Sequence, residues 1–247
     1  MIALAVPALY LGAIVGAEML SIFVDPLGGI ICYMFLLLSL IVNSTILRMY
    51  PIHRFYLALG LVPLIRIASL AIPLSEVSLV YWYLIIAIPI VVGAFAVAAV
   101  LKMRPTEIGL KGRSIGLQIM VAYTGIVIGL VGYAILKPEP LIQALTWHDI
   151  LVPALILLAA TGFAEELVFR GVLQRAAETL GSWGWIYVAV ISSVLQIGHH
   201  SMLHWLLALG LALFFGWSVK KTGSILGVSL AHGLVNICLY LVFPFVF

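Results

Sequence analysis

The run Glu165-Glu166-Leu167-Val168-Phe169-Arg170 places two adjacent carboxylates and a guanidinium inside an apolar segment of helix length. Only 9% of the 247 residues are Asp, Glu, Lys or Arg, and 65% are hydrophobic. Soluble domains are about 45–50% apolar, so the medium around this run is a bilayer rather than water. A charge near the bilayer centre costs at least about 2.5–3.5 kcal/mol on insertion scales, and such residues face a bundle interior or a watery cavity. Glu166 and Arg170 stand four apart on one helix face and make a natural ion pair. That pairing leaves Glu165 without a partner, and a partnerless carboxylate in an apolar segment points to chemistry rather than to helix docking.

Outward from this run, the apolar stretches are too long for barrel strands, which alternate over about ten residues. The fold class is therefore all-α, a polytopic transmembrane helical bundle of about eight to nine spans. The spans fall near 2–24, 28–47, 55–74, 77–101, 114–136, 149–170, 183–200, 203–219 and 224–246. Pro63 and Arg66 interrupt the third, which is expected to be tilted, broken or interfacial. The first lacks a basic flank and a cleavage site and is read as a retained helix. Alternate connections are basic: Arg48 and Arg54, then Lys102, Arg104, Lys111 and Arg113, then Arg175, then Lys220 and Lys221. The opposite connections carry Asp25, Glu76, Glu139 and Asp149, with Lys137 their one basic residue. By the positive-inside rule the basic connections and the N-terminus are cytoplasmic. The chain divides into an N-terminal transmembrane unit (1–101), a cytoplasmic linker (102–113) holding Pro105 and Gly109, and a transmembrane core carrying the chemistry (114–247). The net charge of +3 is a topology signal, and no nucleic-acid partner is expected. Cys32 and Cys238 lie in apolar runs without metal-ligand spacing and read as buried free thiols.

Two further polar groups follow Glu165 in consecutive spans: Gln196, His199 and His200, and then His232 with Asn236, four apart on one face. Gly181-Ser182-Trp183-Gly184 reads as a hairpin turn. Glu165 and His199 each lie seventeen residues from Ser182. At about 1.5 Å per residue, both sit about 25 Å from the tip, at equal depth. His232 and Asn236 lie eleven and fifteen residues past Lys221, a comparable depth. A carboxylate beside an imidazole can deprotonate water, and an imidazole with a carboxamide can stabilise an oxyanion. A zinc ion held by Glu and His is the second route to the same hydrolysis. Other intramembrane chemistries find no residues. There is no His-Glu-x-x-His helix, and the only aspartates, Asp25 and Asp149, are not mid-span. Ser229 sits three residues before His232 on the same helix and reads as a small packing residue.

These motifs resemble those of the CPBP (Abi) family of membrane proteins, which includes CAAX prenyl endopeptidases and bacteriocin-processing enzymes. The family pattern Glu-Glu-x-x-x-Arg is matched by residues 165–170 with Gly171 following, and His-x-x-x-Asn by residues 232–236. Thr222-Gly223-Ser224 and the linker stretch 105–110 are also similar, and the resemblance covers about residues 148–240. The middle motif, Phe-x-x-x-His, departs: Leu195 precedes His199 and Gln196 precedes His200 at that spacing, with His199 favoured and His200 the alternative. The resemblance implies an endopeptidase acting on a membrane-associated peptide, prenylated or not, with its cavity toward the cytoplasm of the cell membrane. It implies that Glu165 and the middle His position water, that His232 and Asn236 hold the oxyanion, and that Glu166 and Arg170 brace the helix. If a metal takes part, its ligands are Glu165, His199 and His232. The same family contains non-catalytic scaffold and immunity proteins, the alternative kept open by the altered middle motif.

Overall fold

The computed structural model describes residues 2–72, 77–112, 114–199 and 201–247, apart from the side chains of residues 2–4 and 199. Its described elements are all helical. They are α1 (Ile2–Phe23), α2 (Pro26–Ile46), α3 (His53–Leu59), α4 (Leu61–Ala71), α5 (Leu79–Val100) and α6 (Ile115–Leu136). These are followed by α7 (Trp147–Leu180), α8 (Gly184–Val194), α9 (Met202–Thr222) and α10 (Leu226–Phe245). With α3 and α4 taken as one, eight helices among the described residues are long and apolar enough to cross a membrane, and α8 is shorter. The chain is a multi-pass membrane protein.

Three segments differ from their expected form, each for a local reason. The third breaks at Gly60 into α3 and α4. Pro63 lies in the first turn of α4, where no backbone donor is needed, and the segment still has the length of a span. The sixth runs on past Arg170 to Leu180, giving a helix of 34 residues where about 20 suffice. The seventh ends at Val194 and gives way to a turn and a single tight turn over Ile197–His199. Ser192 and Ser193 donate back to the carbonyls of Ala189 and Val190 at 3.0 and 2.8 Å, a pattern that loosens helices, and Gly198 follows. Glu76, Arg113 and His200 lie outside the described residues.

The connections gather at two ends. At the linker end, Arg54 donates to the Leu101 carbonyl at 3.4 Å and Ile225 N–H to the Gly109 carbonyl at 3.0 Å. There too, Lys220 donates to the Ser182 carbonyl at 3.2 Å, and Arg175 stands 3.6 Å from Glu107. Ile108 is buried, with its carbonyl directly against Gly171. The far end holds Asp25, which caps α2 through the amide of Gly28 at 2.7 Å, and Lys137, Glu139 and Asp149.

Apolar lipid gives helices no hydrophobic reason to associate, so close packing of small residues must do so. Gly125 of α6 lies directly on the Ala231 carbonyl of α10. Gly162 of α7 faces the same helix, where an added Cβ would stand 2.6 Å from the Ser229 carbonyl and 3.0 Å from Gly233 N. These two contacts clamp α10 between α6 and α7. Gly125→Val is expected to lower stability by about 1–3 kcal/mol through overpacking. Gly12→Val, which meets open space, should change it little; unfolding in mixed detergent compares the two.

Candidate active site

The site begins with the backbone of α7. Two stretches, Leu157–Ala164 and Leu167–Leu173, are wound in wide π turns, a geometry frequent at functional sites. The widening brings Thr161, Glu165, Glu166 and Arg170 to the wall shared with α9 and α10. Glu166 is fully buried and Arg170 nearly so. Arg170 Nη1 donates to Glu166 Oε1 at 3.1 Å, and Nη2 to the Ala212 carbonyl at 3.3 Å. The guanidinium lies 5.8 Å from the Phe169 ring centroid and 5.9 Å from that of Phe215. A buried carboxylate needs such neighbours, because desolvation is repaid only by good geometry and further hydrogen bonds.

Because Gly162 and Gly233 let α7 and α10 approach, the polar residues of α10 reach α7 directly. His232 Nδ1 lies 2.8 Å from Glu166 Oε1, the same oxygen that receives Arg170. Asn236 Nδ2 donates to Thr161 Oγ at 2.8 Å, and Thr161 in turn donates to the Leu157 carbonyl at 2.6 Å. With Nδ1 committed to Glu166, the Nε2 edge of His232 is left for a ligand. Glu165 is half-buried, and among the described residues its carboxylate forms no direct hydrogen bond or ion pair.

Glu165, His232 and Asn236 line one internal cavity of about 450 Å³, together with Gln196 and apolar residues of six helices. Arg66 lines it from α4. Its guanidinium is bidentate to the fully buried Glu18, at 2.6 and 2.8 Å, and Tyr33 donates to the same carboxylate at 2.6 Å. Glu18 and Arg66 thus pair within the N-terminal segment, and Arg66 also borders the path to Glu165.

Of the residues singled out from sequence, Glu165, Glu166, Arg170, Gln196, His232 and Asn236 come to one cavity wall. His199 ends the tight turn after α8, and its side chain, like the whole of His200, lies outside the described residues. The zinc set of Glu165, His199 and His232 therefore includes one side chain that is not described. Among the described residues no three metal-binding side chains converge. Two participants escaped the sequence reading: Thr161 and the bond from His232 to Glu166. Thr161 lies four residues before Glu165, on the same face, which was an available signal.

The geometry defines a polytopic helical membrane protein with a buried Glu–Arg–His cluster and a cavity-facing Glu, His and Asn. Residues 146–238 match the family model of Rce1-like proteins, described as type II CAAX prenyl endopeptidase Rce1-like. The match spans all three motifs and agrees with the resemblance read from them. No curated protein and no solved structure matches the chain.

Arg170→Ala removes the guanidinium from the buried Glu166 carboxylate, leaving it His232 alone, and is expected to cost about 3–5 kcal/mol, the usual loss when one partner of a buried pair is removed. Thr161→Val, which deletes one neutral hydrogen bond to Asn236, should cost about 1–3 kcal/mol. Thermal unfolding of the detergent-solubilised variants gives the order.

Proposed function

We propose that this protein is an intramembrane endopeptidase of the cell membrane that hydrolyses a peptide bond in a membrane-associated substrate. The observation that carries the reading is the shared cavity: a carboxylate without a fixed partner among the described residues, Glu165, faces the same space as the Nε2 edge of His232 and the Thr161-anchored Asn236. The family match over residues 146–238 supports it. The apolar walls fit a substrate drawn from the lipid, such as a transmembrane segment, an amphipathic peptide or a lipid-modified tail.

In this reading the Glu165 carboxylate takes a proton from water as the water oxygen attacks the scissile carbonyl carbon. Electron density moves onto the carbonyl oxygen. A ring of His232 that donates its Nδ1–H to Glu166 has, when doubly protonated, an Nε2–H as well to donate to this oxyanion. The Asn236 carboxamide supplies the second donor, and its place is fixed by Thr161 before the substrate arrives, so little reorganisation is needed. On collapse the carbonyl reforms, the C–N bond breaks, and Glu165 returns its proton to the leaving amine. Arg170 touches none of these atoms; it holds Glu166, which holds His232. His199 is assigned to the water beside Glu165 by the motif resemblance.

The test is cleavage of fluorogenic membrane peptides, with and without a prenyl group, by purified protein in detergent. Glu165→Gln should abolish cleavage while leaving yield and melting temperature unchanged. Asn236→Ala should lower kcat about 10²–10³-fold, the effect of losing one oxyanion donor. Full activity in Glu165→Gln would refute the assignment of the base. A wild-type protein inert toward every peptide would favour a scaffold or immunity role for the same fold.

A further inference from the structure

The cavity holds a second set of polar groups that the cleavage steps leave idle. Arg66 lies within the span His53–Ala71 and lines the cavity with Ser69, one turn further along α4. Its partner Glu18 is fully buried, whereas the Arg66 side chain keeps 17% exposure. A pair made only to join α1 to α4 would be closed at both groups. This one is closed at the carboxylate and faces the cavity with the cation. Both residues lie outside the segment 146–238 that matches the family.

The donors of that cation can be counted. A guanidinium carries five N–H groups. Nε and Nη2 donate to Glu18 at 2.8 and 2.6 Å, and Nη1 to Ser69 Oγ at 3.3 Å. Ser69 is tied back to the Arg66 carbonyl at 3.1 Å, so it braces the fork. Among the described residues, one N–H on Nη1 and one on Nη2 are left without an acceptor. Glu18 also receives Tyr33 at 2.6 Å and holds the guanidinium from behind.

A carboxamide stands nearby. Gln196, in the turn after α8, lines the same cavity, and its side chain forms no hydrogen bond among the described residues. Its turn is seated on α1: a Cβ on Gly198 would stand 3.7 Å from Ile22, which lies four residues beyond Glu18 on the same helix face. The Glu18–Arg66 pair and the Gln196 turn thus adjoin one face of α1.

Unused guanidinium donors on an apolar wall select a planar anion, because the Arg fork matches the two oxygens of a carboxylate. Glu165, in the same cavity, repels that anion. A peptide bearing one carboxylate therefore has a single orientation that satisfies both groups. We propose that Arg66, braced by Glu18 and Ser69 and joined by Gln196, forms a carboxylate subsite that fixes how a peptide lies against Glu165. That the ligand is a peptide rests on the peptidase reading. The carboxylate comes from its C-terminus or from an acidic side chain.

The test is fluorescence anisotropy of dye-labelled apolar peptides on Glu165→Gln protein in detergent at neutral pH. One pair of peptides differs in a C-terminal carboxylate against a C-terminal amide. A second pair, amidated throughout, differs in a central Glu against Gln. In at least one pair the carboxylate form should bind about 10–100-fold tighter, the range for hydrogen bonds to a charged group, and that pair identifies the source. Adding Glu18→Gln with Arg66→Gln, which strands no buried charge, should bring the ratio to about one, and adding Gln196→Leu should lower it several-fold. A ratio near one in both pairs overturns the inference, as does a ratio unchanged in either folded variant, or no binding of any peptide. Selective binding by protein whose Glu165 form cleaves no peptide would keep the subsite and remove the peptidase reading. Cleavage of both members of each pair at equal kcat/KM would do the reverse.

Discussion

A carboxylate sealed from water persists only where cations and donors surround it, and Glu166 is the group on which this structure turns. One of its oxygens receives both Arg170 from its own helix and His232 from α10. Desolvating an ion in this way is expensive, and the mutual attraction offsets the expense only when the partners are held in place. Here they are held by the Ala212 carbonyl, by the rings of Phe169 and Phe215, and by the close crossing at Gly162. The cluster therefore joins α7, α9 and α10. It also orients the imidazole, since a ring fixed at Nδ1 can present only Nε2 to the cavity. Structure and chemistry share one carboxylate.

The two glutamates are adjacent in sequence yet have opposite surroundings. Glu166 is wholly enclosed with Oε1 committed to Arg170 and His232, whereas Glu165, one residue earlier on a helix widened by π turns, faces the cavity. That difference separates a positioning group from a candidate base without any change of residue type. A second buried carboxylate, Glu18, does analogous work on the other wall, where it fixes Arg66 beside the cavity with the help of Tyr33. Residues from 1–101 thus contribute a wall of the cavity.

The spans were legible because hydropathy depends on length and composition alone, and the charged run stood out against 9% charge. Residue spacing also placed Glu166 with Arg170 on one face. What spacing cannot supply is the helix crossing. His232 and Asn236 were visible as a pair, but their partners on α7 depend on how closely two glycines let the backbones approach. The short α8 was misjudged because Ser192, Ser193 and Gly198 weaken the helix without making the segment polar. The choice between His199 and His200 lies at that same break.

A double-mutant cycle on Glu166 and His232 tests the shared carboxylate most directly. Unfolding free energies of the parent, Glu166→Gln, His232→Gln and the double variant, taken in one detergent mixture, yield the coupling. The account predicts non-additivity of about 1 kcal/mol or more, as for residues within one buried hydrogen-bonded network. Additivity within about 0.3–0.5 kcal/mol, the behaviour of independent sites, would show that Glu166 does not hold His232 and would contradict it.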